Sequence, residues 1–509
     1  MKILTSEQKR KADLYTIENE PILSIDLMER AAYQCTEWIL RNMKIEDKKI
    51  LVFVGPGNNG GDGLAIARQI SEIQSDTKIE VYIVKLSTEI SADNKTNLER
   101  LVKLQKAKIF NLNTKKDFPK ISKDDIVIDA IFGSGLSKPA KGLVENLIDY
   151  INLSESKIIA IDIPSGLFGE ENHNQNQTII KADVTLTFHS PFLSFFFVEN
   201  QDYVGEFHTF SIGLHQDYID TIESSYLTIE TKFINKEIKS RKKFSHKGDY
   251  GHGLLIAGSL GKMGAALMAA KACHRTGIGL LTLHVPKCGT HILQAASPES
   301  MLSVDQQEEI SSEFYDLTPY SGLAIGPGIG LKRPTRLMLK VLIESYKKPI
   351  IFDADAITII GDNKDWLNRL QKNSIFTPHP KEFERIAGVS KNHYQRNLLL
   401  MEFAQKFEVY VVFKGAYTRI ACPDGTCYIN TTGNPGMATG GSGDVLTGMI
   451  LSLLAQGYNE KQACKIGVYL HGLAGDIAAK QFGTISMLPS DLINNIYKAF
   501  ESVFEESSE

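Results

Sequence analysis

Residues 49–73 read KILVFVGPGNNGGDGLAIARQISEI. The apolar run Lys49 to Val54 enters the loop Gly55-Pro56-Gly57-Asn58-Asn59-Gly60-Gly61-Asp62-Gly63, after which a helical pattern places Ile66, Ile70 and Ile73 on one face. Strand, glycine loop and helix in that order form the repeating unit of a parallel sheet covered by helices. Working outward, strands are expected at Ile79 to Lys85, Ile126 to Ile131, Lys157 to Ile163 and Ala182 to Phe188. Ahead of them, Ile25 to Leu40 reads as a helix whose stripe of Leu27, Ala31, Cys35, Trp38 and Ile39 packs against the sheet. The fold class is α/β.

A second series of strands is expected at Gly253 to Ala257, Leu280 to Val285, Leu323 to Ile325, Pro349 to Phe352, Ser374 to Phe376 and Val409 to Phe413. It closes in a meander, Thr418 to Ala421 and Thr426 to Ile429. Between Leu214 and Lys247 the apolar spacing fades and charges of both signs mix, so the expected domains are 1–220 and 221–509. A chain of 509 residues is too long for one core.

With 43% hydrophobic and 23% charged residues, the chain is neither disordered, collagen-like nor a coiled coil. A net charge of -4 gives no global electrostatic footprint, so no nucleic acid and no membrane are expected as partners. Charges interrupt the N-terminal segment before a signal-peptide core can form, and the apolar stretches around Val184 to Val198 and Val445 to Tyr458 are too short or too polar to span a bilayer. Cys35, Cys273, Cys288 and Cys464 sit in apolar surroundings, as in a reducing compartment, so the expected location is cytoplasmic. Cys422 and Cys427 flank a turn and lack the second ligand pair that zinc requires.

Chemistry gathers at strand ends. Gly55, Gly57 and Gly60 fit the dinucleotide fingerprint, but the second strand ends in Lys85 instead of an acid to hold a ribose, which disfavours an ordinary dehydrogenase. Asp129 precedes Ala130-Ile131-Phe132-Gly133-Ser134-Gly135, and Asp162 precedes Ile163-Pro164-Ser165-Gly166. The carboxyl ends of parallel strands share one edge, so Asn59, Asp62, Asp129 and Asp162 are expected to converge on one crevice.

The ordered motifs LMERAA, VGPGNNGGDG, DAIFGSGL and DIPSGL resemble the NAD(P)H-hydrate epimerase domain, also called the YjeF N-terminal domain, over roughly the first 215 residues. The resemblance implies a Rossmann-like three-layer α/β/α domain that interconverts the R and S forms of hydrated NADH and NADPH (NADHX and NADPHX). Matched by motif, Asn58, Asn59, Gly60, Gly61 and Asp62 form one substrate-binding loop, and Gly133, Ser134, Gly135, Leu136, Ser137, Lys138 and Pro139 another. Potassium is implied among Asn59, Asp129 and Ser165, and Asp162 is implied as the substrate-binding acid/base.

Toward the C-terminus, residues 433–444 read GNPGMATGGSGD, followed by a helix with Val445, Leu446, Met449, Ile450, Leu453 and Leu454 on one face and Gly457 to end it. Such a loop aims backbone N–H groups at a phosphoryl group, and an aspartate at the helix start takes a proton from the attacking hydroxyl. Asp444 is that base.

The arrangement is similar to the ribokinase-like superfamily. HKGDYGHGLLIAGS, GPGIG, DADAIT, TPHPKE, FKGAYT and NPGMATGGSGDVLTG bring it closer to the ADP/ATP-dependent NAD(P)H-hydrate dehydratases. That resemblance implies a lyase: nucleotide phosphorylates the C6 hydroxyl of the S form, and elimination of phosphate restores NAD(P)H. It places Lys414, Gly415, Ala416, Tyr417, Thr418 and Gly443 against ADP or ATP, and Gly264, Ala265, Gly328, His379 and Asp444 against the hydrate. Glu382 stands where sugar kinases organise Mg2+. Ser442 replaces the family's usual threonine, and Lys381 a frequent glycine, adding a charge that bears on nucleotide preference. A homo-oligomer is expected. Two other readings stay open here: His379 as a structural residue, and a vitamin or sugar kinase fused to a non-catalytic nucleotide- or RNA-binding scaffold.

Overall fold

Ile50, Val52 and Val54 face one side of their strand and Leu51 and Phe53 the other, and all five are wholly buried, so this sheet is a middle layer. The computed structural model describes residues 1–86, 89–171 and 178–505. It divides into two compact units, Lys2–Ser224 and Ser225–Glu509, the latter with Met1.

In the first unit the strands are β1 (Lys49–Val54), β2 (Lys78–Val84), β3 (Lys108–Leu112), β4 (Ile126–Ala130), β5 (Lys157–Ile161), β6 (Val184–Phe188) and β7 (Glu206–Phe210). They form one parallel sheet in the order β3-β2-β1-β4-β5-β6-β7. Helices Ser24–Asn42 and Asn58–Ile73 cover one face, and Leu143–Asn152 covers the other. The order reverses between β1 and β4, which opens a crevice beyond their carboxyl ends.

The second unit holds β8 (Tyr226–Thr228), β9 (His252–Ile256), β10 (Leu280–Val285), β11 (Met301–Val304), β12 (Gly322–Ile325), β13 (Ile351–Phe352), β14 (Ile375–Phe376), β15 (Tyr410–Phe413), β16 (Arg419–Ala421) and β17 (Cys427–Ile429). Their order is β11-β10-β9-β12-β13-β14-β15-β16-β17-β8, parallel as far as β15, then an antiparallel meander through β17. The switch point lies between β9 and β12. Helices Met263–Arg275, Ser442–Ala455, Glu460–Ser486 and Pro489–Glu505 pack on the Leu255 side, and Arg333–Ser345, Ala354–Asp362, Pro380–Ala387 and His393–Phe407 on the Leu254 side.

Several expectations need correction. β3, β7, β8 and β11 are additional strands. The segment expected to lack pattern, 214–247, contains helices Gln216–Thr221 and Thr231–Glu237 as well as β8, which pairs in parallel with β17. Asn58 through Asp62 form the first turn of a helix, because Gly57 is its N-cap. Ile73, at that helix's last turn, is 61% exposed and leaves the face formed by Ile66 and Ile70.

Candidate functional site

Gly60 and Gly63 let the helix after β1 begin against the backbone of its own loop. A Cβ on Gly60 would stand 2.0 Å from the Gly55 carbonyl oxygen, and one on Gly63 would stand 2.6 Å from the Ala130 methyl. Asn94 Nδ2 donates to both the Gly55 and Gly57 carbonyls at 2.9 Å, holding the turn from the side. No side chain caps the helix at Gly57, and an uncapped helix start of this kind suits an anion.

Beyond β4 and β5 the expected residues meet. Ser165 donates its N–H to Asp129 Oδ2 at 2.7 Å and its hydroxyl to Oδ1 at 2.6 Å, and Ser165 Oγ accepts the Phe132 N–H at 2.8 Å. Asn59 Nδ2 donates to the Phe132 carbonyl at 2.9 Å, while Asn59 Oδ1 is buried with no hydrogen-bond partner. Burial lifts the Asp129 carboxyl to about 6, against the Ser165 and Ile131 donors. Asp162 follows β5 in the left-handed region, with φ +63. Its carboxylate accepts from Ser134 N at 3.4 Å and Thr187 Oγ1 at 3.5 Å, and a Cβ on Gly133 would lie 3.7 Å from it and 3.1 Å from Asn59 Cβ. Burial, then the Asp162 charge, raises the Asp62 carboxyl well above its ordinary range. Ser137 and Lys138 stay exposed on the 133–139 loop, outside the hydrogen bonds of Asp162.

Two residues of this crevice escape sequence reading. Lys9 and Asp13 are four apart on helix Ser6–Asn19, a spacing that by itself marks nothing but one helix face. In the fold Lys9 is buried, its Nζ 2.6 Å from the Ser190 carbonyl and 3.4 Å from the centre of the Phe192 ring. Burial draws it down to about 8 against the pull of Asp162 and Asp13, and burial with the Asp162 charge lifts Asp13 to about 7. Both groups thus lie within electrostatic reach of Asp162.

In the second unit, the loop after β9 meets the loop after β12: Gly258 N donates to the Pro327 carbonyl at 2.8 Å and Ser259 Oγ to the Gly328 carbonyl at 2.7 Å. A Cβ on Gly328 would stand 3.3 Å from Ala265 Cβ, which joins those two expected residues; Gly264 beside them is exposed. Helix Ser442–Ala455 starts at Gly441, φ +105, again without a side-chain cap. Asp476 steadies the loop before it, accepting from Gly433 N at 2.9 Å and Asn434 Nδ2 at 3.0 Å, and His471 Nε2 lies 2.9 Å from the Ser442 carbonyl.

Lys414 Nζ lies 3.1 Å from the position a Gly443 Cβ would take, bringing an ammonium to the helix start. Gly415, Ala416, Tyr417 and Thr418 form the turn that follows, with Thr418 Oγ1 donating to the Gly415 carbonyl at 3.2 Å. Burial first, then Asp353, lifts Asp444 to about 7, although Lys414 opposes the shift. His379 caps helix Pro380–Ala387, its Nδ1 accepting from Lys381 N at 3.2 Å, while its own N–H donates to Glu382 Oε2 at 2.8 Å. Nδ1 is thus engaged in the cap, while Nε2 lies 3.3 Å from Glu382 Oε1 on a half-exposed side chain. No helix among the described residues is long and apolar enough to cross a membrane.

Residues 24–193 match the family model described as YjeF-related protein N-terminus, and 253–498 match that of NAD(P)H-hydrate dehydratase. A bifunctional NAD(P)H-hydrate repair enzyme of Thermofilum pendens is 35% identical over 467 residues, 89% of this chain and 88% of that one. Its counterpart in Moorella thermoacetica is 33% identical and covers 99% of this chain and 98% of its own. The chain belongs to this family of bifunctional repair enzymes. A solved ADP/ATP-dependent NAD(P)H-hydrate dehydratase from Bacillus subtilis, co-crystallised with ATP and Mg2+, is 30% identical over 54% of this chain and 98% of its own, with a TM-score of 0.48. For a bifunctional repair enzyme, both units carry chemistry, and the kinase-plus-scaffold alternative finds no support in relatives that span the whole chain.

Proposed function

We propose that the chain restores hydrated NADH and NADPH: the unit up to Ser224 exchanges their R and S epimers, and the unit from Ser225 dehydrates the S form with ADP or ATP. What carries the reading is a carboxylate beside an uncapped helix start in each unit, Asp162 across Gly133 from Asn59 and Asp444 next to Gly443, in a chain of this family.

In the first unit, Asp162 gives a proton to the C6 hydroxyl as it leaves the ring, and the ring nitrogen's electron pair makes C6 planar. Water returns to either face, with the carboxylate taking the proton back. The orphaned Asn59 Oδ1, the Asp129 carboxylate, Ser165 Oγ and the Phe132 carbonyl are hard oxygen donors that fit a potassium ion. Bound there, the ion would supply fixed positive charge for the phosphates of the dinucleotide.

In the second unit, Asp444 accepts the C6 hydroxyl proton as that oxygen attacks the terminal phosphorus of the nucleotide. The helix start and Lys414 receive the charge of the transferring group. The C6–O bond then breaks as a C5 proton is lost to the departing phosphate, so C5=C6 forms, inorganic phosphate leaves and the reduced ring is regenerated, with AMP remaining from ADP, or ADP from ATP. Glu382, close enough to Lys414 for their charges to interact, fits a role in holding Mg2+ through water. A cytoplasmic location suits this substrate.

The test supplies purified protein with mixed epimers and ADP, ATP or no nucleotide, and follows both epimers and phosphate by chromatography. Nucleotide-dependent phosphate release with loss of both epimers is expected. A stable phosphorylated product would overturn the reading.

A further inference from the structure

Asp353 is the most enclosed charge of the second site, and neither half-reaction described above uses it. Its side chain is 1% exposed. β13 delivers it to the sheet edge, where Asp353 N donates to the Ile325 carbonyl at 3.1 Å. The next residue, Ala354, takes φ +45, a left-handed conformation that non-glycine residues seldom adopt. Gly326 packs so closely that a Cβ there would lie 1.9 Å from the Asp353 carbonyl oxygen. The backbone of Asp353 is therefore held on both sides.

Its carboxylate is held as well. Lys414 Nζ donates to Oδ1 at 2.9 Å, and Thr447 Oγ1, one turn beyond Gly443 on the same helix, donates to Oδ2 at 2.7 Å. Thus one carboxylate joins the end of β15 to the helix whose start receives phosphate. We propose that Asp353 is the positioning residue for phosphoryl transfer, fixing the Lys414 ammonium over the start of helix Ser442–Ala455 so that it meets the terminal phosphate of a nucleoside di- or triphosphate. This rests on the dehydratase reading above.

The physical case has three parts. A lysine left to itself spreads over many rotamers, and ordering it opposes binding, so an ammonium already in place binds phosphate more tightly. One N–H spent on Asp353 leaves two for phosphate oxygens. Burial works against the Lys414 charge, yet Asp353 foremost and Glu382 next outweigh it and hold the ammonium above its ordinary range.

The test uses the full-length chain and titrates ADP with Mg2+ by calorimetry, alongside steady-state kinetics. Asp353→Asn keeps the shape and removes the charge; ADP affinity should fall about 10- to 100-fold, with KM for ADP rising and KM for the hydrate unchanged. Lys414→Met should lose a similar factor, and the double variant should be no weaker than Lys414→Met alone, because Asp353 acts through that lysine. Thr447→Val lets the carboxylate turn and should weaken ADP about threefold, which answers the question if Asp353→Asn folds poorly. Wild-type ADP affinity in Asp353→Asn or Thr447→Val, or losses that multiply in the double variant, would overturn the proposal. Wild-type protein that binds no ADP would remove the dehydratase reading itself, and the proposal with it.

Discussion

Asp444 has to be ionised to accept a proton, and its carboxyl sits at about 7 because burial and Asp353 disfavour the charge. Dehydration should therefore rise with pH through about 7 and fail below it, a profile read from initial rates at saturating nucleotide. Asp444→Asn should lower turnover by about 10²- to 10⁴-fold. The same shift has a thermodynamic sign. A carboxyl whose folded pKa exceeds its unfolded value binds its proton more tightly when folded, so the fold loses stability as pH rises from the ordinary 3.8 through about 7 and carries the full penalty above that. Asp444→Asn should accordingly raise the thermal midpoint at pH 8 while removing activity, and a lowered midpoint there would contradict the assigned electrostatics. Asp129 and Asp162 were legible because each stands at the end of a strand beside glycines, and Asp444 because it opens a helix after a glycine loop. Lys9 and Asp13 were not, because they reach the crevice from a helix outside the sheet, where pattern shows only two charges on one face.

At the scale of elements, the glycine turn after β1 depends on helix Ala92–Leu104, whose buried Asn94 satisfies two carbonyls of the turn. Asn94→Ala should destabilise the first unit by about 1–3 kcal/mol and weaken hydrate binding, measured by denaturant unfolding and by KM for epimer exchange. Gly60→Ala should be comparably harmful, by about 1–3 kcal/mol, because its methyl collides with a carbonyl that cannot move. The strands that pattern missed share one property: β3, β7, β11 and β8 are the four edges of the two sheets. Edge strands bury less, so β3 and β7 carry polar or exposed residues at most positions, and β8, three residues long, takes its conformation from β17. Central strands, enclosed on both faces, announce themselves as unbroken apolar runs. That difference also explains the charged stretch before Lys247, whose order comes from tertiary pairing and leaves little mark on spacing.

For the whole molecule, two units with separate sheets and separate carboxylates imply separable activities. Asp162→Ala should abolish catalysed epimer exchange and leave dehydration of the S form intact, and Asp444→Asn should do the reverse. An equimolar mixture of the two full-length variants should again consume both epimers completely. Failure of the mixture, with each variant retaining its remaining activity, would mean that the substrate must stay on one chain between steps.

The unpartnered oxygen of Asn59 has a consequence beyond catalysis. A fold that leaves a buried acceptor unsatisfied is destabilised by roughly 1–3 kcal/mol relative to one that satisfies it, and a cation supplying the missing partner is rewarded with that difference on binding. Unfolded chains offer no such site, so if the proposed ion binds there the melting temperature of the first unit should climb with the concentration of an ion of suitable radius. Cells rich in potassium would then hold this half of the enzyme at its firmest, and dilution into sodium or choline salts would reveal how much of its resilience was borrowed from the medium.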